Sequence, residues 1–346
     1  MAECPYILFC AGEDSGDILG ESFVKDYVGR GFAVKGVGGY RMQRAGLQLL
    51  IPYESLPVSG FGDVVPHYFK LRRFLKILKK TLESECCKGL VAVDYPGFNM
   101  VLTALAKKYG KPVTYVAPPQ VWAWKKGRVK KLRNVNLQVL FDFERQFFEK
   151  HGCSATLLEH PFKKALHNFD FSIKVSKEEN PYILLLPGSR KKQALRNIDF
   201  YLNIAQEYIS RSSQMGNIGI KILISRESLV LTFTQALKKY FKGSVPEWIS
   251  VEMAAEATHR ASLFYNAEYV ITPPGSATLE VHWSQGNLIV STITDKLTYL
   301  LGKLLVKTKY FALPNILLGF QKYPEFIFFK CSKTGCRQIV DYMDSH

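Results

Sequence analysis

The stretch that decides the fold is residues 7–28, ILFCAGEDSGDILGESFVKDYV. A short apolar run at 7–11 predicts a buried strand, a polar loop with two glycines follows, and 22–28 has the pattern of an amphipathic helix. Further apolar runs separated by helical stretches predict strands at 90–93, 112–116, 182–186, 220–224, 269–271 and 288–290. Strands that alternate with helices imply parallel sheets built from βαβ units. We therefore expect an α/β protein with doubly wound parallel sheets.

Length and composition indicate two globular domains. The chain has 346 residues, of which 47% are hydrophobic and 22% are charged, a balance that excludes a disordered or fibrous protein. At about 150 residues per domain, this length fits two domains, each with its own core. The sequence turns polar around 168–181. We place one Rossmann-like domain at 1–168 and a second at 169–346, with a cleft between them.

The same sequence favours a cytoplasmic protein without a metal. No apolar run approaches the roughly 18 residues that span a bilayer, and the N-terminus lacks the basic start of a signal peptide. The seven cysteines are scattered without a CxxC pair, and the seven histidines are dispersed. Neither set has the spacing of a disulfide framework or a metal site, so we expect no metal.

The charge excess is concentrated on a predicted amphipathic helix. The net charge is +16, and such a surface suits nucleic acid, an anionic membrane or a phosphorylated substrate; a solvated helix face is the alternative without a partner. We find no nucleic-acid-binding motif, and the apolar segment before the helix favours a membrane narrowly over the solvated face. The contacts we expect with membrane or acyl chains are Val58, Phe61, Val64, Val65, Phe69, Arg72, Arg73 and Lys76.

Ligands of doubly wound sheets bind beyond the carboxyl ends of the strands, so the loops after the apolar runs are informative. The first such loop has two glycines and a serine, which free backbone N–H groups, but its three carboxylates would repel a phosphate. Sugar hydroxyls suit it better, although a plain strand-to-helix turn is about as well supported. The candidate substrate-binding residues here are Gly12, Glu13, Ser15, Gly16 and Asp17.

Two further candidates follow in the first half. Asp94 ends a predicted strand and precedes a Pro-Gly turn, so it is a candidate general base, while a helix N-cap is the alternative role. Trp122 and Trp124 stand two residues apart just before a basic cluster. They could pack under a sugar ring or anchor at a membrane, and a place in the core is the alternative.

In the second half, two loops together predict a nucleotide-diphosphate site. One follows a strand as LLLPGSR, and the other reads PPGSATLE before a helix start. A helix start can hold a pyrophosphate, arginine can bind an oxyanion with two hydrogen bonds, and a carboxylate one turn into the helix can accept both hydrogens of a ribose diol. The candidate residues are Gly188, Ser189, Arg190, Gly275, Ser276, Ala277, Thr278 and Glu280.

In chain order, the blocks AGEDSGDILG, GVGGYRM, VAVDYPGFN, YVAPPQVWAWKKGRVKKL, LLPGSR, PPGSATLE and LVKTKYFALPNIL resemble the lipid-A-disaccharide synthase family. The resemblance extends over most of the chain. It implies the GT-B fold, two Rossmann-like domains with the active site in the cleft between them. It also implies transfer, with inversion, of 2,3-diacylglucosamine from its UDP carrier to 2,3-diacylglucosamine 1-phosphate (lipid X), giving lipid A disaccharide 1-phosphate and UDP.

The resemblance also implies roles for individual residues. Asp94 would be the general base, and Arg190 with the 275–278 helix start would stabilise the departing UDP without metal or cofactor. Asn315, in the LPN block, would face the active site. The 1–168 domain would bind acceptor and lipid, and the 169–346 domain would bind the UDP-sugar. The enzyme would meet its lipids at the cytoplasmic face of the inner membrane as a peripheral protein.

This chain departs from the family pattern at three places. Gly97 replaces the second acidic residue of a DxPDFN block, the loop at 274–277 reads PGSA rather than SGTA, and the C-terminal part is short. We expect that last part to pack back on the first domain or to be exchanged in a homodimer. The alternatives to the synthase are a UDP-sugar epimerase or hydrolase on the same fold, and a degenerate member with an altered acceptor.

Overall fold

The computed structural model describes residues 5–56, 64–122, 126–172, 181–189, 191–211, 218–224, 227–296, 299 and 309–346. The chain divides into two compact units, Met1–Pro161 and Phe162–His346. The sequence-based boundary at 168 falls a few residues later. The difference arises because Phe162 and Leu166 are buried in one hydrophobic cluster with Tyr182 and Leu184 of the second unit.

The first unit is a seven-stranded parallel sheet in the order β3-β2-β1-β4-β5-β6-β7. Its elements are β1 (Tyr6–Ala11), α1 (Asp14–Gly29), β2 (Ala33–Gly38), α2 (Tyr40–Arg44), β3 (Leu47–Pro52), α3 (Val64–Glu83), β4 (Cys87–Val93), α4 (Pro96–Lys108), β5 (Val113–Val116), β6 (Asn136–Val139), α5 (Asp142–Lys150) and β7 (Ala155–Leu157). Short 3-10 helices lie at Tyr53–Ser55 and Lys126–Leu132. The strands predicted at 7–11, 90–93 and 112–116 are β1, β4 and β5.

The second unit begins with α6 (Pro161–Ala165), which spans the boundary, and contains a six-stranded sheet in the order β10-β9-β8-β11-β12-β13. The remaining elements are β8 (Tyr182–Leu185), α7 (Lys191–Arg211), β9 (Gly219–Ile224), α8 (Val230–Tyr240), β10 (Ile249–Met253), α9 (Ala257–Asn266), β11 (Tyr269–Thr272), α10 (Ala277–Trp283), β12 (Leu288–Ile293), α11 (Leu313–Leu318), β13 (Glu325–Phe328) and α12 (Lys333–Ser345). Short 3-10 helices lie at Leu166–Asn168 and Glu227–Leu229.

Burial on both faces explains why β1 is apolar throughout rather than alternating. Leu8 and Cys10 belong to one hydrophobic cluster, and Ile7 and Phe9 to another. Successive side chains of a strand point to opposite faces, so the two clusters lie on opposite sides of the sheet. A parallel sheet covered by helices on both faces requires such continuous apolar runs, and the predicted doubly wound fold is confirmed.

The sheet orders locate the places where ligands bind in this fold. In the first unit the winding reverses between β1 and β4, and in the second unit between β8 and β11. A crevice forms at such a reversal beyond the carboxyl ends of the two central strands. The loops that follow these four strands are the loops to which the sequence assigns sugar, base and nucleotide contacts.

The C-terminal helix α12 belongs to the core of the second unit. Cys336, Ile339, Val340 and Met343 are buried in a cluster with residues of β8, β9 and α7, and the Tyr269 hydroxyl donates to the Met343 carbonyl over 2.7 Å. The apolar face of α12 is therefore buried within its own unit. Packing of the last segment on the first domain and its exchange in a homodimer both stay predictions.

Candidate active site

The loops after β1 and β4 touch at the first reversal. A Cβ added to Gly12 would clash with the ring of Tyr95, so only glycine allows this approach. Gly12 and Gly16 are buried, whereas Glu13 and Ser15 are half-buried at the start of α1. The predicted glycine-rich turn is present, and Glu13 and Ser15 are half-buried polar side chains of this turn.

Asp17 has a different role from the predicted sugar contact. Its side chain is 2% exposed, and its carboxylate accepts hydrogen bonds from the backbone N–H groups of Gly39 (2.7 Å), Arg41 (3.0 Å) and Met42 (3.2 Å). These groups lie at the start of α2, so Asp17 satisfies donors that a helix terminus leaves without partners. Asp17 therefore stabilises the fold of the first unit, and we do not propose it as a substrate contact.

Asp94 stands at the end of β4 in an uncommon backbone conformation. Asp94 and Tyr95 both have φ of 48°, and left-handed residues other than glycine cost about 1–3 kcal/mol each and cluster at functional sites. α4 begins at Pro96 with Tyr95 at its N-cap, so Asp94 does not occupy the capping position that was the alternative. The Asp94 side chain is half-buried.

The fully buried side chain of Asn99 holds this strained turn. Its Nδ2 donates to three backbone carbonyls, those of Cys10 (3.0 Å), Val93 (3.1 Å) and Asp94 (2.8 Å). It therefore ties the ends of β1 and β4 to each other. The Tyr115 hydroxyl also donates to the Asp94 carbonyl, over 3.1 Å. Sequence analysis did not propose Asn99 as a site residue, although its place five residues after the strand-end Asp was a usable signal.

Trp122 is held by a buried carboxyl group. Its indole Nε1 donates to Glu144 Oε1 over 3.0 Å, and its ring packs edge-to-face on Phe143 with centroids 4.9 Å apart. Glu144, in the first turn of α5, is 4% exposed. Burial raises the pKa of Glu144 to about 7, against the opposing effect of the hydrogen bonds from Trp122 and from backbone amides. Glu144 was missed by sequence analysis; Trp124 lies outside the described residues.

The loops after β8 and β11 meet at the second reversal. Gly188 has φ of 117°, and a Cβ there would lie 3.6 Å from the ring of Pro273. The fully buried Asn197 of α7 fixes this place: its Nδ2 donates to the Pro187 carbonyl, and its Oδ1 accepts from the Ile293 N–H, both over 3.0 Å. Gly188 and Ser189 are half-buried. Arg190 lies outside the described residues.

The PPGSATLE loop forms the start of α10 as predicted. Gly275 and Ser276 are exposed, Ala277 is half-buried and Thr278 is buried, and the Thr278 hydroxyl donates to the Gly275 carbonyl over 2.7 Å. Glu280, one turn further on, pairs with Arg260 of α9, which donates to both carboxylate oxygens. The predicted ribose ligand is therefore held in place by a residue that sequence analysis did not consider.

Asn315 is not placed to contact a substrate. It is fully buried, and its amide donates to the Tyr323 carbonyl (2.9 Å) and to Glu325 Oε1 (2.8 Å). Its oxygen accepts from the N–H groups of Lys322 and Tyr323, both at 3.0 Å. These four bonds use the amide's whole hydrogen-bonding capacity. Asn315 joins α11 to the turn before β13, and we withdraw it from the substrate-binding set.

The predicted membrane contacts are partly within the described residues. Phe69 is 77% exposed, and Arg72, Arg73 and Lys76 are exposed on α3. Val58 and Phe61 lie outside the described residues, and Val64 and Val65 lie in the first turn of α3, where side chains are not described. Of the helices that the structure describes, none has the length and apolar character to cross a bilayer.

In the described ranges, no three His, Cys, Asp or Glu side chains gather as metal ligands. That the chemistry proceeds without a metal or cofactor stays a prediction.

Two Rossmann-like units, each with its ligand loops at a reversal of winding, define the GT-B architecture. The glycosyltransferase of kitacinnamycin has this fold, with a TM-score of 0.59 and 14% identity over 99% of this chain and 91% of that one.

A sequence model described as Lipid-A-disaccharide synthetase matches residues 7–339, and the chain belongs to this family. It is 28% identical to Lipid-A-disaccharide synthase 1 of Legionella pneumophila (strain Lens), over 98% of this chain and 88% of that protein. It is 29% identical to Lipid-A-disaccharide synthase of Trichlorobacter lovleyi, over 90% and 81%.

Replacing Asp17 with alanine should lower the free energy of unfolding by about 3 kcal/mol or more, because three backbone N–H groups lose their acceptor. Urea denaturation measures this loss. The matched control is Asp26→Ala on the same helix, since Asp26 is exposed and, in the part of the chain that the structure describes, pairs only with Arg30 one turn away. This control should change stability by about 0.5 kcal/mol at most. Equal stability of the two variants would contradict the capping role.

Glu144 should make stability depend on pH. Its pKa is raised from 4.5 to about 7, so the folded state holds a proton that the unfolded state releases. This contribution is complete below pH 4.5 and is lost as pH rises through about 7. Glu144→Gln, neutral at every pH, should match wild type at pH 4.5 and exceed it by up to about 3 kcal/mol at pH 8.

Urea midpoints of wild type and Glu144→Gln at pH 4.5 and 8 test this dependence. Glu149→Gln is the control, because Glu149 lies on the same helix with its side chain 46% exposed and bonded to Arg145. This control should show no comparable gain at pH 8. The raised pKa would be contradicted if the difference in urea midpoint between Glu144→Gln and wild type were no larger at pH 8 than at pH 4.5.

Proposed function

We propose that the chain condenses UDP-2,3-diacylglucosamine with 2,3-diacylglucosamine 1-phosphate, giving lipid A disaccharide 1-phosphate and UDP. Membership of the family supports disaccharide-forming glycosyl transfer in lipid A biosynthesis. Asp94 carries the assignment of the chemistry, because a half-buried carboxylate stands on a strained, anchored turn at the reversal of the first sheet. This is the placement that a general base needs.

The proposed step balances as a single displacement. The 6-hydroxyl of the acceptor attacks the anomeric carbon of the donor, and its proton passes to the Asp94 carboxylate. The bond from the anomeric carbon to the UDP oxygen breaks, and both electrons leave with UDP. Attack from the face opposite UDP inverts the anomeric configuration. The rigid hold of Asn99 on the Asp94 backbone supports this role, since proton transfer is efficient only from a fixed position.

We assign the acceptor to the first unit. Glu13 and Ser15 follow Gly12 in the loop that contacts Tyr95. The Glu13 carboxylate can accept hydrogen bonds from sugar hydroxyls, and the Ser15 hydroxyl can accept or donate them. Trp122 adds an aromatic surface whose polar N–H is already bonded to Glu144. The part of the indole ring that is not packed against Phe143 is its proposed contact with a sugar.

We assign UDP to the second unit. The Gly188–Ser189 turn and the 275–278 loop converge at the β8/β11 reversal, the usual nucleotide position in this fold. Glu280 is the proposed ribose ligand. Arg190 keeps the role that the family implies for it, stabilising negative charge on the departing diphosphate.

We also propose that α3 holds the enzyme peripherally on the cytoplasmic face of the inner membrane. Leu78 and Leu82 are buried against the core, and Leu71 and Phe74 pack partly against it. Phe69, Arg73, Lys76 and Lys80 recur at spacings of four, three and four residues and are all exposed. They form one outward stripe, which we call the α3 stripe. An exposed aromatic ring among cations suits an anionic lipid surface.

Asp94→Asn should fold normally and bind UDP as wild type does, while turnover falls by about a hundredfold to ten-thousandfold, because general-base catalysis of this kind contributes about 10²–10⁴-fold. Turnover is measured as disaccharide formed in detergent, and UDP affinity by calorimetry. Asp170→Asn is the control, since Asp170 is exposed and, among the described residues, its carboxylate bonds only its neighbour Ser172. Wild-type turnover in Asp94→Asn would refute the assignment of the base.

Reversing three cations of the α3 stripe (Arg73→Glu, Lys76→Glu and Lys80→Glu) should lower binding to anionic vesicles by about a hundredfold or more. Each cation near such a surface contributes about 1 kcal/mol. Sedimentation with vesicles containing phosphatidylglycerol measures binding, and turnover on detergent-dispersed substrate should persist.

The control reverses Lys238, Lys239 and Lys242, which are exposed at the end of α8 and just after it. The two triple variants carry the same net charge. If they lose vesicle binding equally, net charge and not the α3 stripe is responsible, and the assignment of α3 fails.

A further inference from the structure

Glu280 and Arg260 form an ion pair with two hydrogen bonds between α9 and α10. Arg260 Nε donates to Glu280 Oε2 over 2.8 Å, and Nη2 donates to Oε1 over 3.2 Å. The two side chains are only 14% and 13% exposed. Such a planar pair defines the plane of the carboxylate as well as its position.

Arg260 is itself held from three further directions. Its Nη1 donates to the backbone carbonyls of Ala254 (3.3 Å) and Ala255 (2.9 Å). The guanidinium also lies over the ring of Phe162, 5.2 Å from the centroid. Every guanidinium nitrogen therefore has a partner, and the group cannot rotate without breaking several contacts. A fixed guanidinium fixes the carboxylate that it binds.

The paired carboxylate keeps acceptor capacity for a ligand. A carboxylate has about four lone-pair sites, and Arg260 occupies one on each oxygen. Counting the contacts of the described residues, one further site per oxygen remains, which matches the two adjacent hydroxyls of a ribose. Glu280 also lies on α10 directly after the 275–278 loop at the β8/β11 reversal, where this fold binds its nucleotide.

We propose that Arg260 is a positioning residue for the nucleotide: it orients the Glu280 carboxylate to accept both ribose hydroxyls, so discrimination between ribose and 2′-deoxyribose depends on Arg260. This inference rests on the proposed UDP site. It adds that the specificity for ribose belongs to the pair and not to Glu280 alone. A purely structural pair would stabilise the second unit without affecting this discrimination.

The test compares UDP with 2′-deoxy-UDP by calorimetry on wild type, Arg260→Lys, Glu280→Gln and the double variant. Lysine keeps the positive charge but cannot make the planar two-bond contact. Wild type should bind UDP about tenfold or more tightly than 2′-deoxy-UDP, the value of one hydrogen bond to a charged group. Arg260→Lys should reduce that ratio to about threefold or less, with a smaller fall in affinity for 2′-deoxy-UDP than for UDP, because 2′-deoxy-UDP has only the 3′-hydroxyl to lose from Glu280.

The double variant should lose no further discrimination beyond Glu280→Gln, because both changes disable one unit. Arg211→Lys is the control for an arginine network, since Arg211 binds Glu207, Asp341 and Asp344 and touches none of the α9–α10 contacts described here. It should keep the wild-type ratio. Thermal midpoints of all variants identify any that fail to fold, and Arg260→Gln replaces Arg260→Lys in that case.

Three results would overturn the inference, and each has a different consequence for the proposed UDP site. A wild-type ratio near one removes the ribose role of Glu280, and with it that part of the proposed function. A high ratio retained in Arg260→Lys leaves Glu280 as a ligand that needs no positioning. An equal fall in affinity for both nucleotides means that the pair only stabilises the fold.

Discussion

Each unit depends on a buried asparagine that binds backbone groups at the carboxyl ends of its strands. In the first unit, Asn99 bonds three carbonyls at the ends of β1 and β4. In the second, Asn197 bridges the loop after β8 and the end of β12. A buried amide left without partners would cost several kcal/mol. The hydrogen bonds of these asparagines therefore fix the conformations of the loops. In the first unit they also stabilise the strained backbone conformation of Asp94.

This constraint separates polar residues that build the site from those available to a ligand. Asp17 and Asn315 are buried and bonded to backbone groups of neighbouring segments, so their side-chain hydrogen-bonding groups already have partners inside the protein. Asp94 is half-buried on its anchored turn, and Glu280 keeps unused lone pairs beside Arg260. Among these four side chains, Asp94 and Glu280 are the ones that are only partly buried and lie on or after loops at the reversals of the two sheets.

The sequence was informative where the signal is local. The apolar runs that form β1 and β4 exceed anything a surface strand would carry, and the loops after them are polar and rich in glycine. Short peripheral strands gave weaker signals: β7 has only three residues and is mostly exposed, so its pattern does not differ from that of a loop. The positive φ of Asp94 and Tyr95 also has no sequence signature, since neither is glycine.

Long-range partners account for the rest of what sequence analysis missed. Asp17 bonds N–H groups 22 to 25 residues away, Glu144 bonds an indole 22 residues away, and Arg260 is 20 residues from Glu280. Whether a carboxylate meets a backbone amide, an arginine or a ligand depends on contacts that appear only when the chain folds. Residue type and position after a strand are therefore enough to predict where a site lies. They do not distinguish residues that bind a ligand from residues that stabilise the fold.

The most direct measurement is the product formed from UDP-2,3-diacylglucosamine and 2,3-diacylglucosamine 1-phosphate in detergent, identified by mass spectrometry and by the anomeric coupling in its NMR spectrum. The account predicts equimolar disaccharide 1-phosphate and UDP, with the anomeric configuration of the donor inverted. Release of UDP without disaccharide, or N-acetylmannosamine formed from UDP-N-acetylglucosamine, would contradict it and indicate a hydrolase or an epimerase.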